Sequence, residues 1–204
     1  MKLYYTPGTC SLADHIVLEW IGQPFELQRV GRDELKQPAF LKLNPAGAVP
    51  VFEEDGWVLT QNTAILNYLA DKFPEAGLGG DGTPKGRAEV NRWLGFINSD
   101  MHPAFKPFFG SSAYLEDPAI IEKTQANART VLRGLFESLD AQLVGRDRLV
   151  GAKSIADPYL FVVLRWAKAQ HVDLGGLAEL ARFARQMRED AGVRRAMQVQ
   201  GLAE

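Results

Sequence analysis

The sequence predicts an α/β unit followed by an all-α unit, and three observations lead to this fold class. Strand and helix signals alternate about every ten to fifteen residues over about the first 75 positions. A glycine-rich segment from Pro74 to Pro84 then predicts a linker. Beyond it, apolar residues recur at helical spacing and the strand signal disappears. We therefore expect one domain over residues 1–76 and an all-α domain over residues 84–204.

The first strand and the first helix are distinguished by a change in the spacing of their apolar residues. The run 3–5 (LYY) predicts a short strand, which Pro7-Gly8 ends. Residues 11–21 then show the helical period in their apolar positions, which are Leu12, Ile16, Val17 and Trp20. The sequence Gly-Gln-Pro at 22–24 predicts the end of this helix.

The rest of the first unit completes the order βαβαββα. Phe25 and Leu27 alternate with polar neighbours, as in a second strand. The remaining elements are a short helix at 36–42, strands at 49–52 and 57–59 joined across a hairpin loop, and a helix from position 64. A βαβ unit requires a parallel pair of strands and a hairpin adds an antiparallel pair.

The second unit is predicted to be helical throughout. Two apolar stripes follow helical spacing, the first at Val90, Trp93, Leu94, Ile97 and Met101, and the second at Leu132, Leu135, Phe136, Leu139 and Leu143. Further helices are expected at 154–168 and in the region 175–198. Ser154-Ile-Ala-Asp157 fits a capping box, in which Ser154 caps the amide of Asp157 and the carboxylate reaches back to Ser154.

Composition and charge exclude several classes of protein. The net charge of −2 gives no general attraction to nucleic acid or acidic membranes, and a single cysteine excludes an intrachain disulfide framework. The first residues lack the apolar run of a signal peptide, and no stretch is apolar enough for a membrane span. The three histidines, His15, His102 and His171, share no ligand spacing, so no metal is expected. The expected location is the cytoplasm.

Four stretches together resemble the cytosolic glutathione transferases, and in particular the bacterial beta class. They are MKLYYTPGTCSLA at the start, NPAGAVP at 44–50, LTQNTAI at 59–65 and SIADPYLF at 154–161, in the order and spacing of that family. The resemblance implies a thioredoxin-like first domain, a cytoplasmic homodimer, and conjugation of glutathione to small hydrophobic electrophiles in detoxification. It also implies that residues 1–76 bind glutathione and residues 84–204 bind the electrophile.

Cys10 is the first candidate catalytic residue. It stands directly before the first helix, where the positive end of the helix dipole is expected to lower the pKa of a thiol. Ala13 occupies the place of a second cysteine, so a C-x-x-C disulfide cycle is excluded. Ser11 is the second candidate for stabilising the glutathione thiolate and Tyr5 the third. The alternative is that Cys10 is a small buried core residue.

The candidate glutathione-binding residues come from the resemblance. Val49-Pro50 is expected to have a cis peptide bond, which turns the Val49 backbone toward the cysteinyl part of glutathione. Gln61 and Asn62 begin a helix and are expected to converge on the γ-glutamyl carboxylate, although the pair could be a plain helix cap. Lys36 is a candidate for the glycyl carboxylate, or else a solvated lysine.

The second unit contributes the remaining candidates. The resemblance implies that His102 reaches toward the glutathione sulfur; a lone helical histidine is otherwise a surface residue. It also implies that Asp100 binds the γ-glutamyl amine, either within one chain or from the partner subunit. Phe109 and Trp166 are candidates for an electrophile pocket between the domains, or for the core. His15 and His171 are interpreted as structural.

Two other functions compete with conjugation. Cys10 could form a mixed disulfide with glutathione, which would make the protein a glutathione-dependent thiol transferase or dehalogenase. The chain could instead be a non-catalytic binding or regulatory protein, because a fold alone does not determine function.

Overall fold

The computed structural model describes residues 1–202. Its first part contains, in chain order, β1 (Lys2–Tyr5), α1 (Ser11–Ile21), β2 (Glu26–Arg29), α2 (Pro38–Leu43), β3 (Val51–Glu54), β4 (Trp57–Thr60) and α3 (Asn62–Lys72). This is the predicted order βαβαββα. A single turn of 3₁₀ helix, Glu34–Lys36, precedes α2, so the helix predicted at 36–42 is divided by Gln37 and begins again at Pro38.

The four strands form one mixed sheet in the order β2-β1-β3-β4. β1 pairs parallel with β2 and β3 pairs antiparallel with β4, as the sequence predicted. β1 also pairs antiparallel with β3, which the sequence did not predict. The third strand begins at Val51 and not at position 49, because Pro50 has no N–H to donate to the sheet.

The second part is helical, as predicted. Its helices are α4 (Pro84–Phe96), α5 (His102–Ala104), α6 (Pro118–Gln142), α7 (Ala156–Ala169), α8 (Ala178–Glu189) and α9 (Ala191–Val199). A π-helical segment, Ile97–Met101, joins α4 to α5, so the apolar stripe predicted as one helix changes its turn geometry before His102.

The two parts share one hydrophobic core. Helix α1 packs against α3 of the first part and against α7 and α9 of the second. Its apolar side chains Leu12, Ile16 and Val17 are completely buried. Because α1 is enclosed from both sides, the turn that precedes it is fixed by contacts from the sheet and from the helical part.

The capping box is formed, with one difference from the prediction. The Asp157 carboxylate accepts hydrogen bonds from the backbone N–H of Ser154 (2.8 Å), the backbone N–H of Leu149 (3.1 Å) and the Ser154 hydroxyl (3.3 Å). The Ser154 hydroxyl oxygen accepts the N–H of Ala156, at 3.3 Å. The prediction that it caps the Asp157 amide is wrong, since the Asp157 N–H bonds to the carbonyl of Ser154.

Replacing Asp157 with asparagine is expected to lower the free energy of unfolding by about 2 kcal/mol. The amide group cannot accept all three hydrogen bonds, and a buried donor left without a partner costs about 1–3 kcal/mol. Urea denaturation measures the change. Asp117→Asn is the matched control, because Asp117 is an exposed N-cap and asparagine caps equally well. An equal loss in both variants would contradict the role assigned to the Asp157 network.

Candidate active site

Cys10 lies at the end of a tight turn that joins β1 to α1. The turn is closed by a hydrogen bond from the N–H of Thr9 to the carbonyl of Thr6, 3.2 Å long. Gly8 has a φ of +75°, a conformation that glycine adopts without strain. The Cys10 Sγ donates to the carbonyl oxygen of Val49 at 3.7 Å. We call residues 6–10 the cysteine turn. This turn and the Val49-Pro50 segment, which were predicted separately, therefore meet in the structure.

The thiol of Cys10 has a higher pKa than the sequence predicted. Burial, followed by the charge of Asp14, raises the pKa of Cys10 to about 12. The backbone N–H groups of Cys10 and Ser11 act in the opposite direction but do not offset the burial. The prediction of a lowered pKa is wrong, because it considered the helix terminus without the surrounding core. At neutral pH the group is a thiol and can donate a hydrogen bond.

Ser11 and Tyr5, the other two candidates for stabilising the thiolate, are both buried. Ser11 is completely buried, and its hydroxyl lies 2.7 Å from that of Thr9 and 3.4 Å from the carbonyl of Thr6. Tyr5 is buried, with its ring beside that of His15. The Ser11 hydroxyl is thus engaged within the turn.

The Val49-Pro50 peptide bond is cis, which confirms the expectation from the resemblance. Pro50 is buried and Val49 is half-buried, with its carbonyl facing Cys10. Lys36 is exposed and its Nζ donates to the carbonyls of Ala46 (3.2 Å) and Gly47 (3.4 Å). Lys36 therefore lies against the turn that leads to Val49, within the same part of the surface.

Gln61 and Asn62 point in different directions, which corrects the expectation that both face one point. Gln61 is exposed and has a φ of +76° between β4 and α3. Asn62 is buried, and its side-chain nitrogen, assigned toward the interior, donates to the Asp14 Oδ2 at 2.9 Å and to the Cys10 carbonyl at 3.2 Å. Only Gln61 and the backbone amides of the first turn of α3 remain available to a ligand.

His102 belongs to a group of aromatic side chains beside the cysteine turn. Its Nδ1 lies 2.6 Å from the hydroxyl of Tyr159, and its ring meets the ring of Trp166 edge-on, with 4.7 Å between centroids. Burial, and then the charge of Lys106, lowers the pKa of His102, so the imidazole is neutral at pH 7. Asp100 is exposed two residues before it, in the π-helical segment.

Phe109 and Trp166, the two candidates for an electrophile pocket, are in contact. Their ring centroids are 5.2 Å apart, and Phe109 also stacks on Phe105. Trp166 is almost buried, whereas half of Phe109 is exposed. The two rings form an apolar wall that continues from His102. A separate groove of about 850 Å³ lies between α7 and α8 and includes none of the predicted site residues.

Trp166 also holds the cysteine turn in place. Its Nε1–H donates to the carbonyl of Gly8 at 2.8 Å, and the N–H of Gly8 donates to the Oε1 of Gln200 at 3.1 Å. The Nε2 of Gln200 lies 3.1 Å from the Nδ1 of His15. The carbonyl and the N–H of Gly8, two positions before Cys10, are therefore both hydrogen-bonded by side chains of the helical part.

Sequence reasoning missed four residues of this region: Gly8, Asp14, Tyr159 and Gln200. Tyr159 lies inside the SIADPYLF stretch, directly after the capping box and Pro158. Burial raises the pKa of Tyr159, and the charges of Cys10 and then Asp14 raise it too. Asp14 interrupts the apolar positions of helix α1. An acidic residue among apolar helix positions is a local signal in the sequence, and it could have indicated a role for Asp14.

Two further properties concern metals and membranes. Among residues 1–202, no group of three or more histidine, cysteine, aspartate or glutamate side chains has an arrangement that could hold a metal ion. His15 is buried in α1 and His171 is exposed after α7. None of the helices in the described part of the chain combines the length and apolar character that crossing a bilayer requires.

Comparisons with known proteins agree with this architecture. The glutathione S-transferase GST-4.5 of Xanthomonas campestris pv. campestris is 56% identical over 203 residues, 99% of this chain and 100% of that protein. The structure of a glutathione S-transferase from Xylella fastidiosa has a TM-score of 0.97 at 51% identity, covering 99% of each chain. A sphingomonad glutathione S-transferase in complex with glutathione has a TM-score of 0.87 at 36% identity, covering 100% of each chain.

The fold and the comparisons together define the class of the protein. It has a thioredoxin-like N-terminal domain and an all-helical C-terminal domain, as the resemblance implied. A family model for the glutathione S-transferase N-terminal domain matches residues 14–77. The chain belongs to the glutathione S-transferase family.

Proposed function

We propose that the protein conjugates glutathione to small hydrophobic electrophiles through a stabilised glutathione thiolate. The observation that supports this most directly is the position of Cys10. Its protonated thiol stands at the N-terminus of α1, in contact with the carbonyl of Val49 and next to the turn held by Trp166. One donor therefore lies beside a backbone segment able to bind a peptide, in a turn that is hydrogen-bonded to Trp166 of an aromatic wall able to bind an apolar substrate.

Glutathione is assigned an extended conformation along the first domain, residues 1–76. The Val49 backbone, turned by Pro50, pairs with the cysteinyl residue as an added strand does. Gln61 and the first amides of α3 bind the γ-glutamyl carboxylate, since a helix N-terminus favours an anion. In this assignment Asn62 contributes only its backbone, because its side chain is bonded to the interior.

Two charged residues complete the binding of glutathione. Lys36 is assigned to the glycyl carboxylate, because its ammonium group lies at the turn before Val49. Asp100 is assigned to the γ-glutamyl amine, across the interface of a homodimer. The proposal thus includes a cytoplasmic homodimer of the bacterial beta class that acts in detoxification, with no metal and with residues 84–204 binding the electrophile.

The chemistry needs a glutathione thiolate near neutral pH. The glutathione S–H loses its proton to solvent, and the resulting thiolate faces the N-terminus of α1. The Cys10 thiol, which otherwise donates to the Val49 carbonyl, turns to donate its hydrogen bond to this thiolate. His102 is the supporting candidate, because its neutral ring packs on Trp166, whereas the Ser11 hydroxyl is bonded within the turn. The thiolate then forms a C–S bond with an electrophilic carbon held against Phe109 and Trp166, and the leaving group departs with its bonding electrons.

Retention on immobilised glutathione tests the proposal, followed by a conjugation assay with a chloro-nitroaromatic substrate. Specific elution by free glutathione together with turnover, in which chloride leaves and a thioether forms, is the expected result. The absence of any interaction with glutathione, both on the matrix and in calorimetry, would overturn the proposal.

Replacing Gln61 with leucine is expected to raise the Kd for glutathione about tenfold or more, because a hydrogen bond to a charged group contributes about 1.5–3 kcal/mol. Isothermal titration calorimetry measures the change. Gln23→Leu is the matched control, since Gln23 is also exposed and lies in the loop after α1. Equal affinity in both variants would contradict the assignment of the γ-glutamyl site.

In the competing reaction, Cys10 forms a mixed disulfide with glutathione. This reaction places the glutathione sulfur beside Cys10, as conjugation does. It requires Cys10 as a thiolate, because the thiolate is the nucleophile in disulfide exchange. The raised pKa of Cys10 disfavours that role and favours the role of a donor.

A further inference from the structure

Tyr159 is a completely buried tyrosine of α7, and its hydroxyl group makes two hydrogen bonds to one short segment of the chain. The hydroxyl lies 2.6 Å from the Nδ1 of His102 and donates to the Oδ1 of Asn98 at 3.2 Å. Both partners come from the π-helical turn between α4 and α5, in which the N–H of His102 bonds to the carbonyl of Ile97, five residues before it. Single π-helical turns are frequent at functional sites. We call the three side chains the Asn98–Tyr159–His102 chain.

This chain determines which nitrogen of His102 carries a proton. A carbonyl oxygen only accepts hydrogen bonds, so the single proton of the Tyr159 hydroxyl is donated to Asn98. The hydroxyl oxygen can then only accept from His102, and the bond of 2.6 Å is donated by Nδ1–H. Burial, and then the charge of Lys106, lowers the pKa of His102, so the neutral ring holds one proton. Nε2 is therefore unprotonated and can accept.

The unprotonated nitrogen belongs to a ring that lies beside the cysteine turn. His102 is half-buried, and its Nε2 bonds to no other group among residues 1–202. The ring meets that of Trp166, whose Nε1–H holds the carbonyl of Gly8 in the turn. Helix α7, which carries both Tyr159 and Trp166, packs against α1. An unprotonated imidazole nitrogen in this place can take a proton from a thiol bound at the turn.

We propose that Tyr159 and Asn98 are positioning residues that hold His102 in the Nδ1–H tautomer, so that its Nε2 takes the proton of the glutathione thiol. The inference rests on the proposed function, in which that sulfur reacts as a thiolate. The S–H bond breaks with both of its electrons left on sulfur, and an N–H bond forms at Nε2. The imidazolium then passes the proton to solvent, because burial disfavours the charged ring. In the opposite tautomer Nε2 already carries a proton and cannot act as this base.

The tautomer is read directly by ¹⁵N NMR of the ring nitrogens in the glutathione-free protein, at about pH 8, where the ring is neutral. A protonated and an unprotonated ring nitrogen have well-separated chemical shifts. The chain contains three histidines, and a His102→Gln protein identifies the signals of His102. In the wild type we expect Nδ1 to carry the proton and Nε2 to carry none.

Two variants interrupt the Asn98–Tyr159–His102 chain at different points. Tyr159→Phe removes the acceptor for Nδ1–H, and we expect the ratio of the Nδ1–H to the Nε2–H form to fall at least about fivefold, the effect of losing one neutral hydrogen bond. Asn98→Leu should lower the ratio further, because the Tyr159 hydroxyl is then free to donate to Nδ1. The kcat/KM for the electrophile is expected to fall in the same order.

Asn98→Asp is the conservative control, because a carboxylate accepts the hydrogen bond of Tyr159 as the amide carbonyl does. It is expected to retain both the Nδ1–H tautomer and the rate of conjugation. Tyr68→Phe is the matched control for the loss of a tyrosine hydroxyl. Tyr68 is half-buried and donates to Glu54 of β3, not to His102, so the tautomer should be unchanged.

A wild-type His102 that carries its proton on Nε2 would overturn the inference. An unchanged tautomer in Tyr159→Phe and Asn98→Leu would overturn the role of the two positioning residues, and a changed tautomer with unchanged kcat/KM would overturn the role of Nε2 as the base. Since the NMR sample contains no glutathione, the tautomer is the same whether or not the protein proves to be a transferase. Failure of the proposed function would be seen separately, as loss of binding to the glutathione matrix.

Discussion

Replacing Cys10 with alanine is expected to abolish glutathione-dependent disulfide exchange and to reduce the conjugating activity without abolishing it. Exchange requires a Cys10 thiolate to attack a disulfide and release one glutathione thiolate, so without the sulfur its rate falls at least about a hundredfold. Conjugation loses one hydrogen bond to a charged sulfur, a contribution of about 1.5 kcal/mol at the lower end of the usual range, and kcat/KM falls about tenfold.

Conjugation is expected to survive because other donors remain at the start of α1. The backbone N–H groups of Cys10 and Ser11 are close enough to the thiol to lower its pKa, and alanine retains both of them. The hydroxyl of Ser11 is not the substitute, since it is bonded to Thr9 within the turn. The sequence alone suggested Ser11 for this role.

Cys10→Ser is the matched control for this experiment. A serine hydroxyl donates a hydrogen bond but does not form a disulfide, so conjugation should be closer to that of the wild type while exchange is still absent. Both reactions are measured on the same preparations, with a chloro-nitroaromatic substrate and with a mixed disulfide. Loss of conjugation by a hundredfold or more in both variants would show that Cys10 acts covalently.

Local patterns predicted much of the fold. The helix expected at 11–21 is α1, Ser11–Ile21, because its apolar period and its Gly22 terminus are properties of neighbouring residues. The hairpin of β3 and β4 followed from turn residues in the same way. Boundaries moved where one residue altered the hydrogen bonding, as at Pro50 and at Pro38.

The site was predicted less completely, because its properties depend on contacts between distant residues. The pKa of Cys10 was predicted with the wrong sign, since burial is created by helices that lie far away in the sequence. The direction of the Asn62 side chain depends on Asp14, a partner in another helix. Gly8 and Gln200, which share a hydrogen bond, are 192 positions apart. No local pattern contains such pairs.

Replacing Trp166 with alanine is expected to lower the free energy of unfolding by about 3–5 kcal/mol, the usual cost of removing a large buried ring. It is also expected to reduce conjugation strongly, because the ring packs on His102 and Phe109 and its Nε1–H holds the carbonyl of Gly8. Trp166→Phe separates the contribution of ring packing from that of the hydrogen bond to Gly8. It keeps an aromatic ring and removes the donor, so we expect a loss of about 1–2 kcal/mol in stability.

Trp93→Phe is the matched control, because the Nε1 of Trp93 is buried without a hydrogen-bond partner among the described residues. Since that nitrogen makes no bond to lose, its replacement should cost less than that of Trp166. Urea denaturation gives the stabilities, and the KM for glutathione reports the position of the cysteine turn, which only the Trp166 variant should disturb.

A double-mutant cycle between Trp166→Phe and Gln200→Leu tests whether the helical domain positions Cys10 through Gly8. The two side chains bond the carbonyl and the N–H of Gly8, so their effects on the KM for glutathione should be coupled by about 0.5 kcal/mol or more. Once either bond is lost the turn can move, and losing the second then costs less. Strictly additive effects would mean that each residue acts only on its own helix, and the cysteine turn would then be positioned by the sheet alone.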